Sequence, residues 1–351
     1  MKLKYLFIGL WLITGLIQVC AQEQDELSIY LERGEYLKIK SIADSRLATD
    51  SADLVAISAL AKVYESEQNI AKAIKYNTLK WRLDTTNYLV ARKLGQLYED
   101  AEIFKEALMF YGIAYRQNPE DFITTKGFCN VLISTENLGL ADTILSAALN
   151  KDSLNVAHLL NEARLSYKLR DMARTSDALM KAGHLTNLSN YFQRMLGYAL
   201  LQQDSTDLAI RYLRNALEND RNPEVTYYYL ALAYERKKDD KAALSYFDKA
   251  ITEGISKDLG TYYFRKGQIF FFNKDYKNAC TELETALMHD VNKAICHYYL
   301  AVAYDNRYKN KAKAMHHFEK STSEAGFIPP DMKQYAEARL LQLKEMRHQK
   351  Q

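Results

Sequence analysis

The chain has 351 residues, of which 48% are hydrophobic and 26% are charged, and this balance excludes an intrinsically disordered protein. Only 4 prolines and 13 glycines occur, which excludes a turn-rich β-protein and favours helices joined by short connections. The 47 basic residues nearly balance the 44 acidic ones, and no run of five basic residues occurs. A nucleic-acid-binding protein is therefore excluded as well.

Residues 1–21 are predicted to be a secretory signal peptide. Two lysines precede the apolar run Tyr5–Val19, and small residues then lead to a cleavage site after Ala21. The run is shorter than the roughly 20 residues that a membrane-spanning helix needs. A lipid anchor at Cys20 is the alternative, but Gln18 departs from the usual lipobox. We expect an exported protein of the periplasm or the cell-envelope surface, with no more than peripheral membrane association.

A regular repeat with a period of about 34 residues dominates the rest of the sequence. Small residues recur at this spacing, with Thr175 in one slot, and the last two follow after steps of 36 and 35. Periods of this length indicate an array of helix pairs. The small residues are Ala73, Ala107, Ala141, Ala209, Ala243, Ala279 and Ala314.

The residues around each small one predict two helices per repeat. Small and large residues alternate at helical spacing before it, as in Gly95 with Tyr98 and Gly197 with Leu200. Polar turns such as Lys238–Asp240 separate the two helices. The small residues let two helices approach closely, and the large ones fill the space alongside.

This pattern resembles the tetratricopeptide repeat, and Pro119 stands where that family often has a proline between repeats. The resemblance implies an all-α, α-α superhelical solenoid of about nine helix-turn-helix repeats over residues 22–325. Residues 326–351 are predicted to form a C-terminal capping helix and charged tail. The apolar stripe of this helix is predicted to comprise Tyr335, Leu340, Leu341 and Leu343.

No motif for catalysis, metal binding or cofactor binding occurs in the sequence. The seven histidines lack the spacing of zinc ligands, and no phosphate-binding glycine loop or nucleophile elbow is present. The carboxylates are expected mostly on outward helix faces or in turns. Cys280 and Cys296 fall on neighbouring predicted helices, where they either form a disulfide or pack as small side chains. A non-enzymatic protein without a cofactor is expected.

The family resemblance implies that the first helix of each repeat lines a concave groove. Its fifth and ninth positions are polar and basic in the first repeats, and mainly aromatic and apolar in the later ones. These aromatic side chains either pack between repeats or form an exposed binding strip. The predicted partner-binding residues are Arg92, Lys126, Asn130, Arg164, Arg194, Tyr198, Tyr228, Leu232, Phe264, Phe271 and Tyr298.

Some members of the family hold a C-terminal carboxylate with a five-residue clamp. Lys126, Asn130 and Asn161 match its first three positions, whereas Tyr191 and Met195 replace the two remaining cations. The function expected is therefore an envelope scaffold or adaptor that binds a protein or peptide in the groove. Glycan binding and self-assembly are the alternatives.

Overall fold

The computed structural model describes residues 25–349, except 219, 255, 256, 290 and 325. The predicted signal peptide and Cys20 therefore lie outside the described residues. Within the described residues the chain forms nineteen α-helices and no strand. The helices are α1 Glu26–Arg33, α2 Tyr36–Thr49, α3 Leu54–Ser66, α4 Ile70–Leu83, α5 Tyr88–Asp100, α6 Phe104–Gln117, α7 Phe122–Ser134, α8 Leu138–Lys151, α9 Val156–Lys168, α10 Met172–Leu185, α11 Asn190–Gln202, α12 Thr206–Ala216, α13 Glu224–Arg236, α14 Asp240–Glu253, α15 Leu259–Phe272, α16 Tyr276–Leu287, α17 Lys293–Arg307, α18 Ala312–Ser323 and α19 Pro330–His348.

The first eighteen helices form nine consecutive pairs, followed by the single helix α19. The helices of a pair pack on each other, as α5 does on α6 and α15 on α16. Between α9 and α10, the hydroxyls of Ser166 and Thr175 are hydrogen-bonded at 2.9 Å. The predicted all-α repeat fold, with about nine helix-turn-helix repeats and a final helix, is confirmed.

The turn inside the first eight pairs contains one residue with left-handed backbone geometry. Seven of these residues are not glycine, and the first of the seven, Gln68, has φ 55°. Its N–H donates to the Glu65 carbonyl at 3.1 Å, and the Asn69 N–H donates to the Tyr64 carbonyl at 2.9 Å. These two hydrogen bonds define a Schellman motif, which ends the first helix of the pair. The equivalent residues, one in each repeat, are Gly34, Gln68, Glu102, Glu136, Arg170, Asp204, Lys238 and Lys274.

The connections between the first pairs carry a second regular feature that the sequence reading missed. Asp50, Asp84, Asn118 and Asp152 each end a second helix, and each side chain accepts the N–H of the residue two positions later. Three residues after each of them stands an Asp or Asn that begins the next first helix. These Asx turns and N-caps fix the length of each connection at four residues.

The core consists of the small residues of the repeat and the large residues around them. All eight residues of the predicted small series, Thr175 included, are completely buried. The other small series lies on the first helices, where Gly95 faces the Tyr111 ring and Gly197 faces Leu213. A Cβ atom added at Gly197 would lie 2.6 Å from Leu213 Cγ, so this helix pair leaves no room for a larger residue.

The chain divides into two compact units. The first comprises the described residues up to Leu165, and the second begins at Ser166. Among the residues of the second unit, α19 packs on α18. The apolar stripe predicted for α19 is partly wrong: Leu343 is buried together with Ala336, but Tyr335 and Leu341 are 47% and 60% exposed. Leu340 is partly buried against the cluster that contains Leu343, and Arg339 of this helix binds Asp305 of α17 at 2.7 Å.

The cysteines of the described region are buried free thiols. Cys280 and Cys296 form no disulfide, and the Cys296 thiol donates to the Leu283 carbonyl at 3.4 Å. Burial raises the pKa of the Cys280 thiol to about 11 and that of the Cys296 thiol to about 12. The packing alternative therefore holds in this structure.

Candidate functional site

The predicted partner-binding residues all lie on the first helices of their pairs. In each compact unit, we call the surface formed by the second, fifth, sixth, ninth, twelfth and thirteenth positions of its first helices the first-helix face. Positions are counted from the first residue of each helix, except that in α15 and α17 they are counted from Gly260 and Ala294, which keep the repeat register. Among the eleven residues, Lys126 is exposed and the others are half-buried, so none is closed off from solvent. Leu232 packs beside the buried cluster that contains Phe247 and Tyr262.

In the first unit, the first-helix face is joined by a chain of hydrogen bonds. Tyr111 donates its hydroxyl to Glu99 at 2.7 Å, and the Asn130 amide donates to the other oxygen of the same carboxylate. The Asn130 carbonyl oxygen in turn accepts from Arg164. Arg164 also reaches the Ser134 hydroxyl at 3.4 Å. Glu99, which the sequence reading left out of the site, therefore positions two of the predicted residues across three repeats.

Other predicted polar residues of the first unit already have partners within the chain. Arg92 pairs with Asp121, the N-cap of α7, at 2.9 Å. Asn161 donates to the Lys126 carbonyl at 3.1 Å. The two asparagines that match clamp positions thus make hydrogen bonds inside the protein, while the Lys126 ammonium is exposed. The polar part of the face consequently carries acid–base pairs as well as cations.

The guanidinium of Arg194 is held in the same way in the second unit. It lies 3.3 Å from Asp220 and 3.4 Å from the Thr226 hydroxyl, both in the next repeat. Arg92 and Arg194 both occupy the fifth position of a first helix. Each pairs with an aspartate that lies before the next repeat's first helix or caps it.

Aromatic rings follow one another along the first-helix face of the second unit. The ring of Tyr198 lies 4.6 Å from that of Tyr229, and the ring of Tyr228 lies 4.9 Å from that of Tyr262. Tyr198 also meets Tyr167 edge-on at 5.8 Å. Each contact joins neighbouring repeats, so these rings contribute to packing between repeats. Tyr262 is buried, whereas Tyr198 and Tyr228 keep a part exposed to solvent.

The aromatic residues of the last repeats are grouped around Tyr299. The rings of Phe271 and Phe264 lie 5.0 and 5.8 Å from it. Tyr298 meets Tyr335 of α19 at 6.2 Å. Phe272, which the sequence reading did not select, is 68% exposed and contacts both Phe271 and Tyr299. Its position directly after Phe270 and Phe271 was the signal that could have identified it, since three consecutive helical residues cannot share one buried face.

A depression of 580 Å³ opens on this face between α15 and the start of α17. It is lined by Thr261, Phe264, Arg265, Gln268, Val291, Asn292 and Ile295. Arg265, which the sequence analysis did not select, donates to the Gln268 side-chain oxygen at 3.4 Å. Burial raises the pKa of the Tyr228 hydroxyl, and the Arg265 charge opposes that shift. Burial raises the pKa of the nearby Glu235 carboxyl, and the Arg265 charge opposes that shift.

Some carboxylates are buried, as exceptions to the expectation that most lie on outward helix faces or in turns. Glu224 is buried and accepts the Tyr262 hydroxyl at 2.9 Å, while Asp305 is buried between Lys311 and Arg339. Both lie on first helices, and each contacts a donor from another element. In the described region, no cluster of three or more His, Cys, Asp and Glu residues is arranged to hold a metal ion. No helix of that region is both long and apolar enough to cross a membrane.

Comparison with known families identifies the repeat. The family described as tetratricopeptide repeat matches residues 195–223, 225–253 and 260–288, all in the second unit. These segments are tetratricopeptide repeats, which confirms the resemblance for the part of the chain where the motif is most regular. No curated protein matches the chain in sequence.

Solved structures with similar folds include the APC/C hetero-tetramer Cut9–Hcn1. It is 16% identical with a TM-score of 0.50, and the match covers 82% of this chain and 56% of that one. YrrB, described as a TPR protein with an unusual peptide-binding site, is 21% identical with a TM-score of 0.45 over 50% of this chain and 90% of its own. PilF of Pseudomonas aeruginosa is 16% identical with a TM-score of 0.45 over 65% and 95%.

Proposed function

We propose that this protein is an exported, non-enzymatic adaptor of the bacterial cell envelope that binds a protein or peptide segment on its first-helix face. The tetratricopeptide-repeat fold supports the general role, since arrays of this kind present extended binding surfaces. Residues 1–21, with their signal-peptide pattern, support export. The binding residues proposed are the eleven named above, together with Phe272.

The observation that carries the proposal is the row of aromatic rings in the second unit. Tyr198, Tyr228, Phe264, Phe271 and Tyr298 are each held by a ring of a neighbouring element while remaining partly exposed. Rigid aromatic side chains with little freedom left to lose are the usual anchors of protein interfaces. The pairing of Arg92 and Arg194 with aspartates makes the polar part of the face a place for hydrogen bonding rather than for binding a strongly acidic segment.

The test is affinity capture from the native envelope with residues 22–351 as bait. A second bait carries Tyr228→Ala, Phe264→Ala, Phe271→Ala and Tyr298→Ala. In a control bait, three exposed apolar residues that lie on or just after second helices are changed to Ala. They are Met180, Leu185 and Met288. Circular dichroism establishes that the three baits are equally helical.

We expect a specific protein that is retained by the native and control baits and lost by the aromatic variant. Re-binding of that purified protein then confirms a direct contact. If the native bait and the aromatic variant capture the partner equally, the proposed aromatic site is contradicted. The polar residues of the first unit then become the candidate binding site. If no bait retains a protein, a panel of soluble glycans and light scattering test the two alternatives of glycan binding and self-assembly.

A further inference from the structure

The depression beside Arg265 is lined by one cation, by the neutral polar side chains of Thr261, Gln268 and Asn292, and by three apolar side chains. Thr261, Phe264, Arg265 and Gln268 belong to four positions on one side of α15, and the opposite wall is formed by Val291 and Ile295 before and in the first turn of α17. Phe264 is itself one of the proposed anchor residues. A bound segment that crosses the aromatic rings of the last repeats would therefore reach this depression.

The hydrogen-bond acceptor of the Arg265 guanidinium within the described residues is neutral: it is the Gln268 amide oxygen, at 3.4 Å. Within the described residues Arg265 makes no ion pair, unlike Arg92 and Arg194, which occupy the adjacent position of earlier repeats. A guanidinium has five N–H donors, so most of its donors remain available to a ligand.

Glu235 interacts with Arg265 electrostatically, but within the described residues no carboxylate forms an ion pair with this guanidinium. A half-buried cation facing an open depression is complementary to an anion that enters from solvent, and a planar guanidinium favours a carboxylate that it can contact with two N–H groups.

We propose that this depression binds a carboxylate adjoining an aliphatic side chain of the bound segment, with the carboxylate at Arg265 and the aliphatic group between Phe264, Val291 and Ile295. The inference rests on the proposed function, because the depression is part of the same first-helix face. The carboxylate belongs either to the C-terminal residue of a partner or to an aspartate or glutamate next to an aliphatic residue. Both sources present the same chemistry to Arg265.

Small probes test the depression without knowledge of the partner. N-acetyl-leucine represents an aliphatic C-terminal residue, N-acetyl-leucinamide lacks the charge, and acetyl-Glu-Leu-amide carries an internal acid. Binding to the full chain is measured by NMR titration. The variant Arg265→Gln removes the cation with similar size, and Arg211→Gln is the matched control, since Arg211 is exposed on α12 and stacks only on Tyr212.

We expect the native chain to bind at least one carboxylate probe about tenfold more tightly than the amide. Arg265→Gln should reduce that binding to the level of the amide, and Arg211→Gln should leave it unchanged. Preference for N-acetyl-leucine assigns the site to a C-terminus, and preference for acetyl-Glu-Leu-amide assigns it to an internal acid.

Equal binding of acid and amide, or equal binding by Arg265→Gln and the native chain, overturns the inference. That failure is separable from failure of the proposed function. Probe binding depends on Arg265, whereas capture of a partner is tested with variants that retain it.

Discussion

At the scale of the single residue, the left-handed turn positions carry residues that are not optimal for stability. Seven of the eight left-handed residues of the helix-pair turns carry side chains, although only glycine adopts this geometry without steric cost. Gly34, in the first turn, is the exception. The Schellman hydrogen bonds hold the other residues in place.

Glu102→Gly should therefore stabilise the first unit by about 0.5–1 kcal/mol, because it removes a strained side chain at φ 57°. Urea unfolding followed by circular dichroism measures the change. Ala147→Gly is the control for added backbone freedom: this exposed residue lies inside α8, where the same glycine should cost about 1 kcal/mol. A loss of stability in both variants would show that the left-handed turn imposes no strain.

A pair of histidines makes the second unit sensitive to acid. The Nδ1 atoms of His297 and His317 lie 2.9 Å apart, so one ring must donate a proton and the other must accept it. Burial lowers the pKa of both rings, and the neighbouring His297 lowers that of His317 further, to about 4. The unfolded chain, in which histidine titrates near 6.5, takes up these protons first.

The stability of the second unit should consequently fall as the pH decreases from about 6.5 to about 4, by ~2 kcal/mol after allowance for solvent screening. Thermal unfolding at a series of pH values measures this loss. His317→Gln should flatten the profile over this range, whereas the same change at the exposed His184 should leave it unaltered. An unchanged profile in His317→Gln would assign the acid sensitivity to other groups.

At the scale of the helix pair, close approach depends on a residue without a side chain. Gly197→Ala would place Cβ 2.6 Å from Leu213 Cγ and 3.3 Å from the Ala209 carbonyl oxygen. We expect it to cost about 1–3 kcal/mol by overpacking. In the double variant with Leu213→Ala the loss should be smaller than the sum of the two single losses, because the clashing side chain is gone.

Gly139→Ala is the matched control for this position. No atom outside its immediate surroundings in α8 lies within 4 Å of the added Cβ, so we expect unchanged or slightly higher stability. Additive losses in the Gly197 and Leu213 variants would mean that the helices can separate without cost.

The final helix is held to the last pair by a buried charge. Asp305 is 8% exposed and binds both Lys311 and Arg339, the latter from α19. Arg339→Ala should cost about 1–3 kcal/mol, since it leaves the buried carboxylate with one partner. Lys344→Ala removes the more exposed pair with Glu319 and should cost less than about 1 kcal/mol. Denaturant unfolding compares the two variants, and equal losses would mean that burial of Asp305 adds nothing.

At the scale of the whole molecule, the repeat fold could be predicted because small and large residues recur in the sequence at a fixed spacing. Small residues such as Ala107 and Ala243 are buried wherever the repeat period places them, and Thr175 fills its slot by hydrogen-bonding Ser166. The sequence also identified α19, since it follows Pro329 and Pro330. The contact of Arg339 with Asp305 could not be predicted, because it joins residues that are far apart in the sequence.

The candidate site was less predictable for the same physical reason. Arg92 and Asp121 belong to different repeats, as do Arg194 and Asp220. No local sequence pattern therefore indicates that these charges pair. The hydrogen bond between Glu99 and Asn130 likewise depends on how neighbouring repeats meet. The aromatic positions could be predicted from the repeat register, but the contacts that hold each ring could be seen only in the structure.

The regular turns of the first unit determine how this protein can change in length. Gly34, Gln68, Glu102 and Glu136 have the same backbone geometry at intervals of one repeat, and the connections between pairs are equally long. Deletion or duplication of one whole repeat between two such turns joins chain ends that already have matching direction and caps. A deletion of any other length brings a large side chain to the place of a small one. We therefore expect the first unit to gain or lose surface in whole repeats, and insertions and deletions in the DNA that encodes this unit should be multiples of the length that encodes one repeat.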